Sequence, residues 1–164
     1  MRWLYRLSVG AWVGTVLGVS LLVPPFVFRM LPRQQAGEVM GTIFGWYYWL
    51  GIGLGAIALI AGVSLARRVG WQWERVAAVV LLVVMVGAAG YVRLIVSPDI
   101  MAARELIYGA PDEASAAPHR ATLDTLHHRS VMINGAILLG GVLVMLLDTL
   151  REHRNEEHAA EHVL

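Results

Sequence analysis

The stretch Leu126–Asn134, LHHRSVMIN, places two histidines, an arginine, a serine and an amide directly ahead of an apolar run that carries no charge before Asp148. Imidazole can move a proton or hold a metal, and an amide can donate and accept hydrogen bonds at once. Helical spacing puts Arg120, Asp124, His127 and Asn134 on one stripe, with Asn134 about 10 Å along the axis from His127. Arg93, one turn before a break at Ser97, adds a guanidinium. Ionisable groups at membrane depth usually face protein or water and often mark function. A polar pocket lined by Arg93, His127, Ser130, Asn134 and Tyr47 or Tyr48 is therefore the candidate site. A plainer reading stays open beside it. Arg93 can snorkel to an interface, His127 and His128 can sit among headgroups, and Asn134 can tie two helices by a hydrogen bond.

These residues need elements to position them, and hydropathy supplies four. The chain has 164 residues, 57% apolar, with a mean hydropathy of +0.61. A soluble domain sits nearer 45–50% apolar. The excess falls in four runs, at about 7–28, 43–66, 73–96 and 130–150. Each is long enough, at about 1.5 Å per residue, to cross a hydrocarbon core of about 30 Å. Backbone polar groups in lipid must be bonded within their own segment, so the runs are helices. The fold expected is an all-α integral membrane protein, a four-transmembrane-helix bundle within 1–150. A short interfacial helix and loop are expected over 97–118, and a polar tail over 151–164. Ser97, Pro98 and Asp99 read as a helix restart, and Ala110 to His119 as a loop.

Alternating spans bring the end of the first, the start of the second, the end of the third and the start of the fourth to one side. That is what collects Arg93, Tyr47, Tyr48, His127, Ser130 and Asn134. Trp46, Tyr47, Tyr48 and Trp49 read as an aromatic belt. Pro24 and Pro25 free the carbonyls of Ser20 and Leu21 and predict a bend in the first span. Gly10, Gly14 and Gly18, with Gly51 and Gly55, form small-xxx-small faces for helix packing, within the bundle or between copies. The arginines divide almost equally between the two sides. Those at the amino terminus and the Arg67–Arg68 loop favour cytoplasmic termini.

Other chemistries find little support. All thirteen basic residues are arginine and they are dispersed, so no nucleic-acid footprint is visible. With no cysteine there is no disulfide or thiolate site. No Ser/His/Asp set, phosphate loop or intramembrane carboxylate pair appears, and an enzyme is not expected. A bis-histidine haem would need a buried histidine in the first three spans, and they contain none. Haem or copper therefore rests on His127, with Met85 as a distant axial partner. His158 and His162 have the i, i+4 spacing of a weak metal site.

The segment VPPFVFRMLPRQQAGEVMGTIFGWYYWLG, then SPDI, then LHHRSVMIN resembles the uncharacterised four-helix membrane family that includes transmembrane protein 205. Its bacterial members are grouped as domain of unknown function 4149. The resemblance rests on Pro25, Phe28, Leu31, Ala36, Gly37, Phe44 and Tyr47 or Tyr48, on Pro98, and on His127, Ser130 and Asn134. It covers about Gly10 to Leu150, with Asp99 standing where members often carry a basic residue. It implies a four-helix protein of the bacterial inner membrane and no settled activity. The layout is also similar to that of the copper-resistance D membrane family, although histidines and methionines are scattered here. Three functions are expected in turn. The first is a non-enzymatic accessory or assembly subunit, partnered by lipid, other membrane subunits or itself. The second is a small oligomeric transporter or channel-like protein using a site near His127 and Asn134. The third is a haem- or copper-handling protein.

Overall fold

The computed structural model describes Met1–Glu161, with side chains described as far as Arg154. Among these residues every regular element is a helix: α1 (Arg2–Leu17), α2 (Val23–Met30), α3 (Arg33–Val69), α4 (Trp73–Tyr91), α5 (Ser97–Tyr108) and α6 (Glu113–Glu161). A π turn at Gly18–Leu22 joins α1 to α2, and another at Val92–Val96 joins α4 to α5. Four continuous rods result, Arg2–Met30, Arg33–Val69, Trp73–Tyr108 and Glu113–Arg154, each long and apolar enough to cross a membrane. Each contains one of the four runs read from hydropathy. The protein is an all-α, four-helix integral membrane bundle.

Helix α1 packs on α3, α3 on α4, α4 on α6, and α6 back on α1, which closes the ring. Each helix turns one narrow stripe inward. On α1 it is Tyr5, Val9, Trp12 and Val16; on α6 it is Ile137, Val144 and, at the ends, Asn134, Asp148 and Arg151. Large apolar side chains such as Leu21, Phe26, Trp46, Ile60 and Leu139 point outward, where lipid is the solvent. Trp12 makes a close approach to two glycines of α3. A Cβ added to Gly51 would lie 2.7 Å from its Nε1, and one added to Gly55 would lie 2.7 Å from its ring and 2.5 Å from Val86. The indole lies across a notch that only glycine leaves open. Gly51 and Gly55 therefore pack helices, as their spacing suggests. Gly10, Gly14 and Gly18 do not pack helices within the bundle: a Cβ on any of them would meet nothing within 4 Å.

Three boundaries differ from the reading of the sequence. Helix α3 starts at Arg33, ten residues before the apolar run, because after Pro32 nothing in RQQAGEVMGT breaks a helix. The third span has no restart at Ser97. The rod runs on through the π turn, Pro98 fits in the first turn of α5, and no side chain caps it. The connection read as a loop from Ala110 to His119 shrinks to Gly109–Asp112. Asp112 begins α6 by accepting a hydrogen bond from the Ser115 N–H at 2.8 Å, and Pro118 is tolerated one turn in. That bond holds the Asp112 carboxyl below the usual range. Ahead of Pro24 and Pro25, where a bend is expected, the backbone forms the π turn, in which the Val23 N–H reaches the Gly18 carbonyl.

Candidate functional site

Tyr47 and Tyr48 follow one another on α3, so their side chains leave the axis about 100° apart. Both nevertheless meet Asn134 of α6. The Tyr47 hydroxyl donates to Asn134 Oδ1 at 3.1 Å, and Asn134 Nδ2 donates to the Tyr48 hydroxyl at 2.9 Å. The two rings stand edge to face, with centroids 4.8 Å apart, and Phe44 one turn earlier packs on both. All three polar residues are buried. The amide thus has both its ends engaged by neutral partners, which ties α3 to α6. Ser20, from the first π turn, places its buried hydroxyl beside the Tyr47 phenol.

The other residues of the expected pocket stand apart from this cluster. His127 and His128 are exposed. The Ser130 hydroxyl bonds back to the His127 carbonyl at 2.8 Å. Arg93 lies over the Trp49 ring, 5.6 Å from its centroid, and its buried Nε has no partner. Arg120 pairs with Glu113 on the surface, not with Asp124. The reason is one of register. The inward stripe of α6 passes through Ala116, Leu126, Ile133, Ile137 and Val144. Between the neighbours Leu126 and His127 the apolar side chain takes the inward place, and the imidazole is turned out. No group of three or more His, Asp or Glu is arranged for a metal among the described residues. His158 and His162 lie outside the described side chains.

Two contacts that sequence reasoning passes over hold the remaining ends. Arg104 of α5 donates to the Gly37 carbonyl of α3 at 2.6 Å, against a bare patch formed by Gly37 and Gly41. At the opposite end of the bundle, where α1 begins, an ionic network links three of the four rods. Arg6 Nε reaches Asp148 Oδ2 at 2.6 Å and also pairs with Glu152. Arg2 joins Glu152 at 3.3 Å. Arg151, itself buried, pairs with Asp148 at 2.5 Å, and Arg154 pairs with Glu74. Glu74, Arg75, Asp148 and Arg151 are each less than one-tenth exposed. The signal is present in the sequence, since an up-down-up-down order brings Arg2, Arg6, Glu74, Arg75, Asp148 and Arg151 to one end. Hydropathy and loop charge use those arginines only to orient the chain.

Comparison with known proteins places this architecture in one family. No curated protein matches the chain. No solved structure matches it either. Residues 7–108 match the model of a family described as a domain of unknown function, DUF4149. The match contains Trp12, both π turns, Tyr47, Tyr48, Glu74 and Arg75, and stops short of α6 with Asn134, Asp148 and Arg151. It spans well over half of the sequence, and on that ground the chain belongs to the DUF4149 family.

Proposed function

We propose that this protein is a non-enzymatic accessory or assembly subunit of a larger membrane complex. The resemblance to the family of transmembrane protein 205 suits that reading and would put the chain in a bacterial inner membrane with both termini cytoplasmic. The observation that carries it is the Tyr47–Asn134–Tyr48 latch. An amide inside an apolar helix can bind a passing solute, and here its carbonyl and its NH2 each make a bond that closes the bundle. Polar chemistry used in this way fixes a shape that other chains can recognise. Native mass spectrometry of the protein extracted gently from its own membrane tests it. A second polypeptide at fixed stoichiometry is the expected result. One or several copies of the bare chain and nothing else would overturn the reading.

A small oligomeric transporter is the second reading, favoured by the buried Ser20 hydroxyl beside Tyr47 and by the π turns in two spans, since such turns recur at functional sites. On that reading Asn134→Ala abolishes solute uptake into proteoliposomes while leaving the fold intact. A haem or copper role would have to begin from His127 on the outer surface. A haem- or metal-sized increment in the same mass spectrum is its test.

A further inference from the structure

Arg75 is the group whose surroundings are least complete. It is 4% exposed, and its Nη1 donates to the Gly70 carbonyl at 2.6 Å. Nε and Nη2, the two nitrogens along one edge of the guanidinium, are buried and have no hydrogen-bond partner among the described residues. That edge is the fork with which arginine takes an anion through two parallel bonds. The nearby carboxylates are committed elsewhere, Asp148 to Arg6 and Arg151, Glu152 to Arg2 and Arg6, and Glu74 to Arg154. Five guanidiniums (Arg2, Arg6, Arg75, Arg151, Arg154) thus meet three carboxylates among the described side chains. A buried charge without a partner costs several kcal/mol unless something neutralises it.

The space beside Arg75 limits what that something is. A cavity of about 20 Å³ lies among Tyr5, Gly62, Glu74, Arg75, Asp148 and Arg151. That is room for one water-sized particle, and a tetrahedral oxyanion does not fit. Arg151 Nε, also without a hydrogen bond, adds a donor, while Glu74 Oε2 and Asp148 Oδ1 are acceptors without a hydrogen bond that repel an anion. We propose that this cavity binds a single monoatomic anion of the chloride class, held bidentately by Arg75 Nε and Nη2, with Glu74 and Asp148 weakening its affinity.

The test uses the full chain, purified in a non-ionic detergent free of phospholipid. Thermal unfolding is followed by tryptophan fluorescence in sodium chloride and in sodium gluconate at equal ionic strength. A ligand that binds only the folded state raises Tm saturably. Chloride is expected to do so and gluconate is not. Arg75→Gln is expected to abolish the difference between the salts. Glu74→Gln is expected to lower the half-saturating chloride concentration by roughly tenfold, the usual order of one neighbouring charge's influence on another. Equal Tm values in the two salts would overturn the site, as would a chloride effect that survives Arg75→Gln. Stabilisation by phosphatidylglycerol in place of chloride, lost in Arg75→Gln, would overturn the halide and assign the fork to a lipid phosphate. Should Arg75→Gln fail to fold, crystals grown in bromide decide. An anomalous peak at the Arg75 fork supports the proposal, and a water there without anomalous signal overturns it.

Discussion

The two polar clusters share only α6 and are built on opposite principles. Asn134 with Tyr47 and Tyr48 is neutral, and each hydrogen bond has a donor and an acceptor that nothing else claims. The cluster at the terminal end is ionic and shared: Asp148 serves Arg6 and Arg151, and Glu152 serves Arg2 and Arg6. A neutral latch can be removed with modest damage because no charge is stranded. An ionic knot that depends on a few carboxylates has weak points, and one of its members, Arg75, is left over.

That contrast can be tested from its most fragile point downward. Asp148→Ala strands Arg151 and half of the Arg6 fork, and its expected cost of about 3–5 kcal/mol is read as a large fall in Tm in detergent. Asn134→Ala removes both bonds of the latch and is expected to cost about 1–2 kcal/mol. Changing Tyr47, Tyr48 and Asn134 together to Phe, Phe and Leu is expected to cost less than Asn134→Ala alone, because no polar group is then left unpaired. A triple variant less stable than the single one would break the comparison. Arg2→Gln, which loses an exposed ion pair at 3.3 Å, is expected to change stability by no more than about 0.5 kcal/mol. At the far end of the molecule, Asp112 offers a pH test. Its carboxyl titrates lower in the folded chain than in the unfolded one, so the capping contribution is present at neutral pH. It is lost as pH falls through the folded value. A fall in the amide protection factors over Glu113–Ala116 in acid, absent in Asp112→Ala, is the expected signature.

The four helices and the latch are legible in the sequence for the same reason. A hydrocarbon solvent forces long apolar runs, and an amide or tyrosine within such a run stands out. Tyr47, Tyr48 and Asn134 can thus be picked together from their types and positions. His127 falls on the wrong face because 3.6-residue spacing cannot choose between adjacent positions when the stripe drifts, and Leu126 competes for the same slot. The ionic knot is not legible, although its members can be counted. Its carboxylates lie at Glu74 and from Asp148 onward, where composition suggests headgroup contacts and a fraying tail. Only the closure of the ring shows that Arg6 and Asp148 face each other. The length of α3 and α6 ahead of their apolar runs escapes the sequence because hydropathy reports where lipid begins, not where a helix does.

The π turns at Gly18–Leu22 and Val92–Val96 stand at the same offset, each two residues ahead of a proline. A π turn holds one residue more than an α turn. Each odd-numbered span therefore carries a stored insertion. Deleting one residue inside either segment lets it relax to α while the flanking stripes keep their facing. The same deletion a few residues earlier, in α1 or α4, rotates everything beyond it by about 100° and turns a buried stripe towards lipid. In terms of reading frame, these two segments are where the helices can lose a letter while every later word keeps its sense.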